Sequence, residues 1–191
     1  MKITLSEDIN LNKQISLFEP SLKPNWVNEF GFYDALYNFI VENKSIKGID
    51  IEIPPMEIKC SCTYFSNNGK SFKGKGGIYF LSDEEGKLLN IGNTSDLYDR
   101  VYKKWIGKNG GSKADYFFCD LYHNVSLFCE SNSVKRRLYE VYLINKHQPP
   151  YNYQYNYYDK STYIETLRRF EEKESKRSIW LGGFKRNYWL L

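Results

Sequence analysis

The sequence has only two histidines and four cysteines, and no CxxC pair. His123 and His147 stand at no recognised zinc spacing from Cys60, Cys62, Cys119 or Cys129, so a structural zinc site is not expected. Reduced thiols in a cytosolic protein are the simpler reading. Long apolar runs are absent, and no stretch approaches the ~20 residues that a membrane-spanning helix needs. The opening Met1-Lys2-Ile3-Thr4-Leu5 lacks the apolar core of a signal peptide. The expectation is a cytoplasmic protein with no membrane association. Charge of one sign is also scarce. A formal net charge of +4 over 191 residues is a modest excess and excludes a histone-like polycation. No internal repeat or heptad run appears.

Aromatic residues, by contrast, are plentiful, and tyrosine alone supplies 17. Most of them should pack in the core and strands, while some could stack on bases or take part in chemistry. The basic residues cluster, as in Lys103, Lys104 and Lys108 or Lys135, Arg136 and Arg137. A solvated face explains any one cluster, whereas several converging clusters would suit a phosphate backbone. The length fits one domain with an appendage and allows a core that needs no disulfide or metal staple.

In chain order, the residues up to Pro24 alternate apolar and polar positions, as in a half-buried strand or extended arm. A helix is expected from about Trp26 to Asn43, with Tyr33, Tyr37, Ile40 and Val41 near helical spacing. Ile49, Ile51 and Ile53 alternate in a short strand, and Ile58, Cys60, Cys62 and Tyr64 in another. Residues 66–76 read as a basic loop, with a division near residue 70. Gly77–Leu81 and Leu88–Gly92 form a hairpin about the turn Asp83-Glu84-Glu85-Gly86. A helix follows, capped by Thr94 or Ser95, with Leu97, Val101 and Trp105 on one face and Arg100 and Lys104 on another. Residues 114–122 read as a buried strand, and Ser126-Leu127-Phe128 as a linker or helix start. Ser131, Asn132 or Ser133 caps a helix to His147 that Pro149-Pro150 ends. An Asn- and Tyr-rich loop covers 151–158, and a charged helix runs from Ser161 to about Lys176.

The expected fold is α+β: a small mixed or antiparallel sheet flanked by helices. Residues 1–70 would form an N-terminal α/β extension of unnamed role and 71–158 the core. Residues 159–191 would supply a helix and an aromatic, basic tail. Oligomeric state is open, a homodimer included.

Four features stand in fixed order in this core. Gly77-Ile78-Tyr79 comes first, and Asn90-Ile91-Gly92 second, followed by Thr94, Leu97 and Arg100. Glu140 lies inside the helix ending at His147, and Pro150-Tyr151-Asn152 just beyond it. This order and spacing resemble the GIY-YIG nuclease family over roughly residues 74–155. The resemblance implies an endonuclease that hydrolyses DNA phosphodiester bonds with Mg²⁺ or Mn²⁺, of restriction, phage-defence or mobile-element type. The alternative is a catalytically weakened or inactive nucleic-acid-binding protein. One departure stands out: the second triplet of the family begins with tyrosine, and here Asn90 takes that place. Asparagine can still hydrogen-bond a phosphate or a water.

By the same resemblance, Glu140 is the metal ligand. One carboxylate on a rigid helix suffices for a hard cation when waters and phosphate oxygens complete its octahedron. Arg100 would stabilise phosphate charge through its forked donors. Lys104, where relatives carry histidine or tyrosine, would donate to phosphate or tune the water. Tyr79 would take the water's proton directly or by relay, and Asn152 would brace the site. Each has a plain structural reading beside it: Glu140 paired with Arg136 or Arg137, Arg100 with Asp96, Lys104 solvated, Tyr79 in the core, Asn152 in a turn.

Overall fold

A computed structural model describes residues 1–6, 9, 25–107 and 118–180. Its elements in chain order are β1 (Ile3–Leu5), α1 (Asn25–Asn43), β2 (Ile49–Ile51), β3 (Ile58–Ser61), α2 (Cys62–Asn68), β4 (Gly77–Ser82), β5 (Leu88–Thr94), α3 (Leu97–Trp105), β6 (Asn124–Cys129), α4 (Ser133–His147) and α5 (Ser161–Trp180). Short 3₁₀ turns occupy Gly69–Phe72 and Cys119–Leu121. The fold is α+β, and both sheets are antiparallel. β1 pairs with β2, and the main sheet has the order β3-β6-β4-β5. Among the described residues no helix is long and apolar enough to cross a membrane.

β4 is buried from Gly77 to Leu81 because both faces of the sheet are covered. Ile78 and Phe80 face α4 and α1, packing with Leu138, Val141, Leu36 and Ile40. Tyr79 and Leu81 face α2 and α3, packing with Phe65, Leu97 and Val101. Each fully buried side chain of this size contributes roughly 1.5–3 kcal/mol, so alternate residues of a single strand tie two layers to one sheet. At Gly77 no side chain fits. A Cβ there would run into the Phe128 carbonyl and would lie 2.7 Å from Leu97 Cδ1.

Several expectations are corrected. The alternation Ile58-Cys60-Cys62-Tyr64 stays a strand only to Ser61, whose hydroxyl accepts from the Tyr64 N–H at 3.1 Å and starts α2. Residues 66–76, read as a loop, begin with the end of α2 and a 3₁₀ turn. The N-cap of α3 is Asp96, not Thr94 or Ser95. Its carboxylate accepts from Asp99 N–H, while Thr94 is the last residue of β5. The strand expected at 114–122 is not one: 114–117 lie outside the described residues, and 118–121 are helical or 3₁₀. Phe118 and Tyr122 are buried all the same, through a turn that packs against α3. The strand is instead β6, built from the stretch read as linker, and it lies between β3 and β4. β3 and α2, upstream of the division expected near residue 70, belong to the same sheet and its cluster.

Candidate active site

β5 is the outer strand of the main sheet, so one row of its backbone groups lacks a strand partner. The segment just beyond α4 covers that edge. Tyr151 N–H donates to the Leu89 carbonyl at 3.0 Å. The Asn152 amide then acts as a strand residue would: its Oδ1 accepts from Ile91 N–H at 2.8 Å and its Nδ2 donates to the Ile91 carbonyl at 2.8 Å. Asn152 is 8% exposed, so these bonds are made out of water. It therefore braces β5 against the end of α4.

Asn90 belongs to the same clamp. It is 4% exposed, and its Nδ2 donates to the Tyr151 carbonyl at 3.2 Å and to Asn152 Oδ1 at 3.3 Å. Both partners are acceptors, which fixes the orientation of the amide. Its Oδ1 is buried and has no hydrogen-bond partner among the described residues.

Tyr79 lies on β4 directly across from Gly92 on β5. A Cβ at Gly92 would strike the Tyr79 hydroxyl, so the glycine is what lets the phenol lie across the strand. Tyr79 is buried in the cluster beneath α3 and also lines the cavity described below.

Glu140 projects from α4 toward the end of β5. Its Oε1 accepts from the Asn93 backbone N–H at 3.1 Å, and its Oε2 accepts from Asn93 Nδ2. The two arginines read as its structural partners are engaged elsewhere. Arg136 donates to the carbonyls of Glu130 and Ser131, and Arg137 pairs with Asp34 at 3.6 Å and lies over the Tyr37 ring. Burial pushes the Glu140 carboxyl above the usual carboxylate range. The Asn93 hydrogen bonds, and then the charges of Lys104 and Arg100, act in the opposite direction.

Arg100 and Lys104 share a face of α3. The carboxylate oxygens of Asp96 receive the N–H groups of Asp99 and Gly74. Lys104 is only 8% exposed, unusual for a lysine unless its charge is answered.

These side chains meet at one cavity of about 550 Å³, lined by Tyr79, Asn90, Gly92, Asn93, Arg100, Lys104, Glu140 and Asn152. All six residues singled out from the sequence lie on its wall. Tyr151, Tyr153, Gln154, Tyr155 and Tyr163 line it as well. Sequence reasoning missed Asn93, whose grip on Glu140 has no side-chain signature. It also missed Tyr155, whose hydroxyl pairs with that of Tyr37 on α1 at 2.8 Å. Tyr155 has φ +60 and is held there by Asn145, which donates to its carbonyl at 3.0 Å. The four cysteines are free, and none lines this cavity.

The donors suit a hard divalent cation. The Glu140 carboxylate stands on the wall of a space large enough for waters and a phosphate, and no thiolate or imidazole lines it. Arg100 and Lys104, lining the same cavity as the carboxylate, make it able to hold an anion beside a metal.

Residues 75–154 match the family model of the GIY-YIG catalytic domain. Among solved structures, two point mutants of the GIY-YIG N-terminal endonuclease domain of UvrC from Thermotoga maritima are similar, each bound to its catalytic divalent cation. One is 20% identical with a TM-score of 0.37, covering 43% of this chain and 87% of that one. The other is 15% identical with a TM-score of 0.38, covering 51% and 94%. No curated protein matches the chain.

Proposed function

We propose that the chain is a divalent-metal-dependent endonuclease that hydrolyses phosphodiester bonds of DNA. The observation that carries this is the convergence of Glu140, Arg100, Lys104 and Tyr79 on one cavity. Glu140 would hold Mg²⁺ or Mn²⁺, with waters and phosphate oxygens completing the coordination. The ion would supply charge neutralisation at the scissile phosphate and a more acidic water. Arg100 donates its guanidinium N–H groups to phosphate oxygens as charge develops on them. Lys104 adds a second donor from the same helix face. The Tyr79 phenol, set across Gly92, would as its phenolate take the proton from the attacking water and become the neutral phenol. Asn152 acts through β5, keeping Gly92 and Asn93 in register with α4. Asn93 keeps the Glu140 carboxylate aimed into the cavity.

Residues before and after the core would select the target. An unfamiliar N-terminal half joined to a nuclease core suits a restriction, phage-defence or mobile-element role. A second reading, a weakened nuclease that only binds nucleic acid, is favoured by the burial of Asn90 in the clamp, where it offers no phenol to the cavity.

Incubation of the purified chain with plasmid and single-stranded DNA, with Mg²⁺, Mn²⁺ or EDTA, separates the two. The nuclease reading expects metal-dependent cutting that EDTA stops. Salt-sensitive binding with no cutting in either metal supports the second reading. Arg100→Ala should lower the cleavage rate by about 10²–10³-fold while leaving the melting curve nearly in place. A large stability loss in that variant would make Arg100 structural.

A further inference from the structure

The cavity that Arg100 and Lys104 line is also lined by several tyrosines, which phosphate chemistry does not explain. Tyr151 stacks on Phe118 with ring centroids 4.3 Å apart and planes 15° apart. Phe118 meets Tyr163 of α5 edge-on at 5.2 Å, and Tyr163 meets Tyr153 at 5.3 Å. The first three rings pack the post-α4 loop and α5 onto the body of the domain. Tyr153 adds little to that packing, since it is 53% exposed. It is nonetheless braced, with Tyr163 tilted at its side and Lys160 Nζ over one face of the ring, 4.1 Å from its centroid, so a base would stack on the other face. An exposed flat ring on the rim of an anion-binding cavity, held by a neighbouring ring and accompanied by a cation, matches the chemistry of one nucleotide: a base face and a phosphate.

We propose that Tyr153 is a stacking platform for an unpaired nucleobase of the nucleic-acid strand whose phosphate enters the cavity, with Lys160 contacting an adjacent phosphate. The assignment rests on the nuclease reading above. It adds that the bound strand presents an unstacked base at the cavity, as single-stranded or locally opened DNA does. Stacking on an aromatic ring is tolerant of base identity, so Tyr153 would confer strand-state preference rather than sequence preference.

The test measures binding of the full chain in EDTA, where cleavage is stopped. The probes are fluorescently labelled oligothymidylate and an abasic oligomer of equal length and charge. Wild type should bind the thymidylate about tenfold more tightly than the abasic strand. Tyr153→Leu, which keeps apolar bulk without a π-face, should bring the two affinities together, and Tyr153→Phe should keep them apart. The salt dependence should be alike in all three proteins, because the phosphate contacts are untouched. Equal affinity of wild type for both strands, or a Tyr153→Leu variant as selective as wild type, overturns the platform. If that happens while Mg²⁺-dependent cleavage of DNA persists, the nuclease reading stands and only the platform falls. If neither strand binds at low salt and nothing is cleaved, both fall together.

Discussion

At the scale of single residues, the site depends on an uncomfortable carboxylate. Burial of Glu140 raises its pKa in the folded protein, so folding favours the neutral acid. The stability tied to this group is whole below the ordinary carboxyl value of 4.5. It is lost as pH rises through the higher folded value. Glu140→Gln removes that charge, so without metal it should melt above wild type near pH 7 and level with it below about pH 4. A wild type that is the more stable at neutral pH would contradict the desolvation argument. Asn93 works against the burial, and Asn93→Ala should carry the acidic limb of the cleavage profile to higher pH. An unmoved limb would mean that Asn93 does not tune Glu140. Gly92 and Tyr79 form a second coupled pair. Gly92→Ala should cost about 1–3 kcal/mol in wild type and clearly less in a Tyr79→Ala background, as read by denaturant unfolding; additive costs would place the phenol elsewhere. The sequence singled out Tyr79, Arg100, Lys104 and Glu140 from their place in the motif order, and the four line one cavity. The grip of Asn93 was not legible, since a backbone N–H and a short amide leave no pattern. The sequence showed Asn90 as a departure but not its burial, which follows from the chain crossing β5 sixty-one residues later at Tyr151.

At the scale of elements, what was local was legible and what was long-range was not. The hairpin, α1, α4 and the start of α5 follow from turn chemistry, helical spacing and caps, and Asn132 does cap α4 through Val134 and Lys135. β6 was missed. Its alternation is short, with Val125 and Leu127 on one face and Phe128 on the other, and its strand character comes from pairing on both sides with β3 and β4. The aromatic run after residue 114 looked more strand-like because bulky side chains can be buried by a turn as well as by a sheet. The clamp on β5 is likewise a tertiary feature. Asn152→Ala would leave the Ile91 N–H and carbonyl without their partner, at roughly 1–3 kcal/mol for each unsatisfied group. Loss of stability on that scale, with faster hydrogen exchange at Ile91, is the expected result. A neutral substitution would show that water replaces the amide.

At the scale of the whole molecule, the cavity is assembled from parts distant in sequence. The hairpin supplies Tyr79 and Asn90, α3 the cations, α4 the carboxylate, and the loop after α4 the clamp and the aromatic wall. α1 lies against the back of α4, and its Tyr37 reaches the loop through Tyr155. The N-terminal segment is thus mechanically joined to the helix that carries Glu140. A ligand that binds only the folded protein raises its melting temperature with concentration. Mg²⁺ or Mn²⁺ should do so in wild type and not in Glu140→Ala. The most direct measurement is cleavage of plasmid DNA by these two proteins at equal concentration across a Mg²⁺ titration. Wild type should cut in proportion to metal occupancy, and Glu140→Ala, folded but without its carboxylate, should not cut at any Mg²⁺ concentration. Equal residual cutting by the two would contradict a nuclease built on Glu140.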